Sequence, residues 1–119
     1  MDEISPVGIT EVWEVRAGEV RSWTIDPAEF GLDWERVDDL AGGEPAENAG
    51  RIEQLLANAA VDEAGRRALI LNAGAAIYVA GLAESLVGAF ERARESLECG
   101  GGARVLKELR GGSGRAPVP

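Results

Sequence analysis

Apolar residues are patterned differently in the early and late parts of the chain. Thr10 to Arg16 (TEVWEVR) and Glu19 to Ile25 (EVRSWTI) are rich in Val, Thr, Trp and Ile, with only Ala17-Gly18 between them. That combination predicts two antiparallel strands joined by a two-residue connection. With Arg16 opposite Glu19, the pairs become Val15–Val20, Glu14–Arg21, Val12–Trp23 and Thr10–Ile25, so apolar partners and opposite charges coincide. This favours that register over a one-residue slip. Asp26-Pro27 ends the second strand, because proline has no N–H for the ladder. Residues 28–43 are irregular, acidic and broken by Gly31, Gly42 and Gly43; Phe30, Leu32 and Trp34 are expected to pin them to a core.

From Pro45 the period becomes helical. Proline suits a first helical turn, and Ala49, Ile52, Leu55, Leu56 and Ala59 form one stripe. Asp62 is placed to cap the next helix, with Glu63 favourable at its positive end. Ala68 to Ala83 (ALILNAGAAIYVAGLA) has one frankly polar residue, Asn72, and no one-sided stripe. Such a helix has to be covered on all sides, by lipid or by protein. Over 68–83 it would span about 24 Å, and a bilayer needs about 20 apolar residues, so a protein core is expected. Small residues at Ala73, Gly74, Ala76, Ala80 and Gly81 would admit close neighbours. Glu84-Ser85 predicts a break or bend, after which Leu86, Phe90, Ala93 and Leu97 continue at helical spacing until Gly100 to Gly102 stop them. Leu106 and Leu109 predict a short last helix to about Arg110. The tail 111–119 is linker-like and expected to be disordered. A hairpin alone is marginal and covers an all-apolar helix poorly. Two strands followed by about four helices therefore read as part of a larger domain.

Composition narrows the function. At 119 residues the chain suits one domain, and its formal charge of −9 argues against nucleic acid and against an anionic membrane surface. One cysteine, Cys99, excludes a disulfide framework and fits a reducing compartment. With no histidine, a zinc site and a His-based triad have almost no basis. The N-terminus has no signal pattern, so a cytoplasmic location is expected.

Chemistry is easiest to imagine at Asp2-Glu3. Adjacent carboxylates in an extended segment can reach one hard cation, and Mg2+ is typically held by one or two carboxylates plus substrate phosphates. Taken alone, an acidic pair beside a chain start is far more often a solvated terminus. Gly42-Gly43 could cradle a phosphate at a helix start, yet Glu44 and Glu47 would repel it, so a tight turn is expected. Asn72 could bind a ligand; holding a neighbouring loop's backbone is the commoner use. Cys99 lacks a basic partner that would activate it. Glu14–Arg21 reads as a surface pair worth little, and Tyr78 as a core ring with its hydroxyl at an edge.

MDEISPVG, VWEVRAGEVRSWTIDPAEFGL, LAGGEPAENA and LILNAGAAIYVAGLAESL, in this order, resemble anthranilate phosphoribosyltransferase from about Met1 to Arg110. The resemblance implies an α/β fragment of a nucleoside phosphorylase/phosphoribosyltransferase-type fold, the C-terminal part of the large domain, over residues 1–110. Enzymes of that family join anthranilate to the ribose 5-phosphate of phosphoribosyl pyrophosphate and release pyrophosphate, in tryptophan biosynthesis. Asp2 and Glu3 match the family's Asp-Glu pair and would bind Mg2+ at the pyrophosphate. The family's glycine-rich phosphate loop, its Lys-His-Gly-Asn segment, its anthranilate-binding arginine and its dimer-forming N-terminal domain have no counterpart here. Ile9 stands where proline is common and Gly74 where alanine is, both mild departures. By itself such a chain is expected to be inactive, through a truncated or split gene or an internal start. The alternative is a small non-catalytic α+β interaction module built on the same piece of fold.

Overall fold

The computed structural model describes residues 3–58 and 62–112. Strands β1 (Thr10–Arg16) and β2 (Glu19–Ile25) form an antiparallel hairpin. Its register is the predicted one, from Thr10 opposite Ile25 to Arg16 opposite Glu19. Ala17 and Gly18 make the connection with φ of 51° and 82°, the doubly left-handed geometry that matches strand twist. The side chains of Glu14 and Arg21 do not pair, contrary to expectation. Arg21 instead reaches Glu19 on its own strand at 3.0 Å.

Pro27 ends β2 as predicted. Short 3-10 turns at Pro27–Phe30 and Val37–Leu40 then organise a stretch that the glycines made look irregular. Four helices follow: α1 (Pro45–Leu56), α2 (Glu63–Val79), α3 (Leu86–Glu98) and α4 (Gly101–Gly112). The Asp62 cap acts as read, and Ser85, expected only as a break or bend, caps the next helix. Asp62 Oδ1 accepts the Gly65 N–H at 2.8 Å, and Ser85 Oγ accepts that of Gly88 at 3.2 Å. Each satisfies an amide that the helix leaves unpaired. The boundaries shift in two places. α2 begins at Glu63 behind the Asp62 cap, as expected, but stops at Val79, short of Ala83, where Ala80 and left-handed Gly81 (φ 70°) close it. α4 continues to Gly112, past Arg110. Ala59 and the tail from 113 lie outside the described residues.

The core gathers Ile25 from the hairpin, Leu32, Ile70 and Leu71 of α2, and Phe90 and Leu97 of α3. Phe30 meets Phe90 edge-on, with centroids 4.9 Å apart. The closest helix approach is at Gly74, where an added Cβ would fall 3.1 Å from the Phe90 Cα and within its ring. Cover for α2 is one-sided. Ala64, Ile70, Leu71 and Gly74 are buried, whereas Val79 is 84% exposed. Leu82 beyond it, and Trp13, Val15 and Val20 on the far face of the hairpin, are also exposed. Nor is the α1 stripe sealed, since Ile52 is half exposed. No helix among the described residues is long and apolar enough to cross a membrane.

Candidate functional site

The N-terminal segment is fixed to the helical layer at two points. The Ile4 N–H donates to Asn72 Oδ1 at 3.0 Å, and Asn72 Nδ2 donates back to the Ile4 carbonyl at 2.9 Å. A third hydrogen bond, from Asn72 Nδ2 to the Ala68 carbonyl one turn earlier, is also 2.9 Å. Two residues on, Pro6 is fully buried and its carbonyl accepts the Trp34 N–H at 2.8 Å. Asn72 therefore serves the backbone of a neighbouring segment, the more ordinary of its two readings.

Glu3 sits directly before this anchor, in a bend. It is exposed and makes no hydrogen bond or ion pair with another described residue. Asp2, its expected companion, lies outside the described residues. Among the described residues no cluster of three acidic or sulfur side chains could hold a metal ion. Any cation at this end would depend on the Asp2-Glu3 pair and on oxygens of a bound ligand.

The other candidates resolve into structure. The Gly43 N–H donates to Asn48 Oδ1, and the Glu44 N–H to Glu47 Oε2, so these two amides at the helix start are already engaged. Asn48 also returns a bond to the Gly43 carbonyl at 2.8 Å, the same reciprocal grip that Asn72 has on Ile4. Cys99 caps α3, exposed, with its thiol 3.5 Å from the Ser96 carbonyl. Tyr78, half-buried, donates its hydroxyl to Glu14 Oε1 at 3.0 Å, across a groove of about 770 Å³ between the hairpin and the C-terminal half of α2. Trp23 also lines this groove, and its buried Nε1 has no hydrogen-bond partner among the described residues.

One hub was not visible in the spacing. Arg51 of α1 is bidentate on Asp62, with Nη2 3.0 Å from Oδ1, and also donates to the Asp39 and Ala41 carbonyls at 2.7 and 3.0 Å. The guanidinium holds the Asp62 carboxyl below the usual carboxylate range, against the opposing effect of burial. Asp62 was legible as a cap. Its partner, eleven residues away around a turn, had no periodic signal.

Comparison with known proteins decides the family. Residues 1–103 match the glycosyl transferase family, a/b domain. The chain belongs to that family. Anthranilate phosphoribosyltransferase of Natronomonas pharaonis is 40% identical over 110 residues, covering 92% of this chain and 33% of the relative. The Haloferax volcanii enzyme of the same name is 46% identical over 102 residues, 84% of this chain and 30% of the relative. Among solved structures, Saccharomyces cerevisiae anthranilate phosphoribosyltransferase in complex with 4-fluoroanthranilate has a TM-score of 0.78 at 22% identity. A variant of the yeast enzyme with Mg bound gives 0.76 at 25% identity. Each covers 90% of this chain and 31% of the solved chain. The chain thus spans about a third of the length of these members of the glycosyl transferase family. The hairpin and four helices are the piece of α/β domain that the resemblance implied.

Proposed function

We propose that this chain is the C-terminal part of the α/β domain of an anthranilate phosphoribosyltransferase, and that Asp2 and Glu3 contribute its Mg2+ carboxylates. The complete enzyme transfers phosphoribosyl from phosphoribosyl pyrophosphate to anthranilate, giving N-(5-phosphoribosyl)anthranilate and pyrophosphate. The observation that carries this reading is that residues 1–103 match the family's a/b domain and that relatives of that one activity align over 84–92% of the chain. Glu3 suits the metal role chemically, being a hard oxygen donor, exposed and not already paired with a described residue. A bound divalent cation supplies charge neutralisation for a leaving pyrophosphate. The chain's own contribution is to hold the acidic segment in place through Ile4 and Pro6, with the buried core behind it. A cytoplasmic location accords with the single free thiol. Homodimerisation, as in the family, would rest on surfaces outside this chain.

Activity tests the reading in two steps. The chain alone, given phosphoribosyl pyrophosphate, anthranilate and Mg2+, is expected to give no product. Co-expressed with the N-terminal two thirds of a relative, it is expected to restore growth of a tryptophan auxotroph. The double variant Asp2→Asn, Glu3→Gln should abolish that rescue. Rescue that survives the double variant would refute the metal assignment. Turnover by the chain alone would refute its dependence on the other part.

A further inference from the structure

Asn72 is the polar interruption in the most apolar helix of the chain, and all its described bonds are directed at backbone. Its two bonds to Ile4 close a ring on both the N–H and the C=O of one residue, as a strand partner would. The bond to the Ala68 carbonyl fixes which way the amide faces. Flipped, it would set its oxygen against two carbonyls and its NH2 against the Ile4 N–H. The grip therefore has one stable orientation, and it acts on the residue that directly follows Glu3. Farther along, buried Pro6 and its bond from Trp34 stop the segment from sliding.

We propose that Asn72 is a positioning residue for Glu3 of the proposed metal pair, holding the backbone of the next residue, Ile4, before a divalent cation binds. This rests on the metal reading above and adds to it a remote determinant of affinity. A segment that has to be ordered at the moment of binding loses that ordering entropy from its affinity. Releasing one residue is expected to weaken cation binding about tenfold.

The test uses Mn2+ as the probe, with inorganic pyrophosphate present to supply the remaining oxygens, followed by electron paramagnetic resonance on the 119-residue chain, together with amide exchange at Ile4. In the metal-free protein the Ile4 N–H should be protected. Asn72→Ala should remove that protection and weaken Mn2+ binding about tenfold at a temperature where the variant is folded. Asn72→Asp, which keeps the acceptor for the Ile4 N–H and loses both donated bonds, should reduce that protection less than Asn72→Ala does. Arg51→Ala, a destabilising change in α1, should leave Mn2+ affinity unchanged. An unprotected Ile4 N–H in the metal-free protein would overturn the proposal without any variant. So would Asn72 variants that free Ile4 yet bind Mn2+ as tightly as the parent. If the parent chain binds no better than Asp2→Asn, Glu3→Gln, the metal reading itself fails and the proposal falls with it. The exchange data keep that outcome distinct from failure of the Ile4 grip alone.

Discussion

Ala17 and Gly74 show opposite demands on a single Cβ. Ala17 holds a left-handed φ of 51° at the hairpin turn, a conformation that costs an L-residue roughly 1–2 kcal/mol. Asparagine tolerates it and favours this turn when glycine follows. Ala17→Asn should raise stability by about 0.5–1 kcal/mol, read as a rise of a few degrees in Tm with unchanged circular dichroism. At Gly74 the added methyl would meet Phe90. Alanine gains about 1 kcal/mol in a helix interior, but overpacking costs about 1–3 kcal/mol. Gly74→Ala should therefore lower Tm, and a gain would mean that α3 retreats freely. A combined variant Gly74→Ala, Phe90→Leu should recover part of the loss.

Among the elements, α1 and α2 are joined less by apolar packing than by the Arg51–Asp62 pair, for α1 has no buried residue. Asp62 has a folded pKa below its unfolded value. Its stabilisation is therefore fully present above the unfolded value and is lost as pH falls through the folded one, in a window below about pH 4. The parent should lose stability on that acid limb, and Asp62→Asn should flatten it while retaining a cap acceptor. Arg51→Ala removes a charged partner and two carbonyl contacts, a loss of about 1.5–3 kcal/mol. Thermal unfolding at pH 7 should show a Tm lower by on the order of 10 °C.

Elements were also where the sequence was easiest to read. Register followed from charge and apolar matching around Ala17-Gly18, and helix starts followed from Pro45 and Asp62, because these depend on neighbours a few residues apart. The C-terminal end of α2 differs from the apolar run because left-handed Gly81 stops the helix, while the run itself continues to Ala83. Arg51 with Asp62, and Asn72 with Ile4, are meetings of distant segments, for which a single sequence carries no period. Asn72 could be narrowed to holding a backbone, but not to which one. Asp2 and Glu3 were the easiest place to imagine chemistry, but only family resemblance raised them above a solvated terminus, since two adjacent carboxylates have the same local appearance at either.

At the scale of the whole molecule, the uneven cover of α2 and the hairpin fits a chain that spans a third of its relatives. Exposed apolar groups at Val79, Leu82 and Trp13 should make the isolated chain bind hydrophobic dyes and self-associate with rising concentration. Val79→Lys, Leu82→Lys should suppress both, with a stability change within about 0.5 kcal/mol for each exposed site. Light scattering and Tm would check this together. Association that persists in the double variant would point to the hairpin face instead.

The three tryptophans occupy three different optical environments. Trp34 lies under the Arg67 guanidinium at 5.3 Å and donates to Asp39. Trp23 faces the groove with its Nε1 unpartnered among the described residues, and Trp13 is 65% exposed. The chain consequently carries its own fluorescent gauge of whatever covers the hairpin. A polypeptide laid against that face would dry Trp13 and shift its emission to the blue, and one entering the groove would alter Trp23. Retaining one of these two indoles at a time would separate the signals and follow assembly in real time, with no added label.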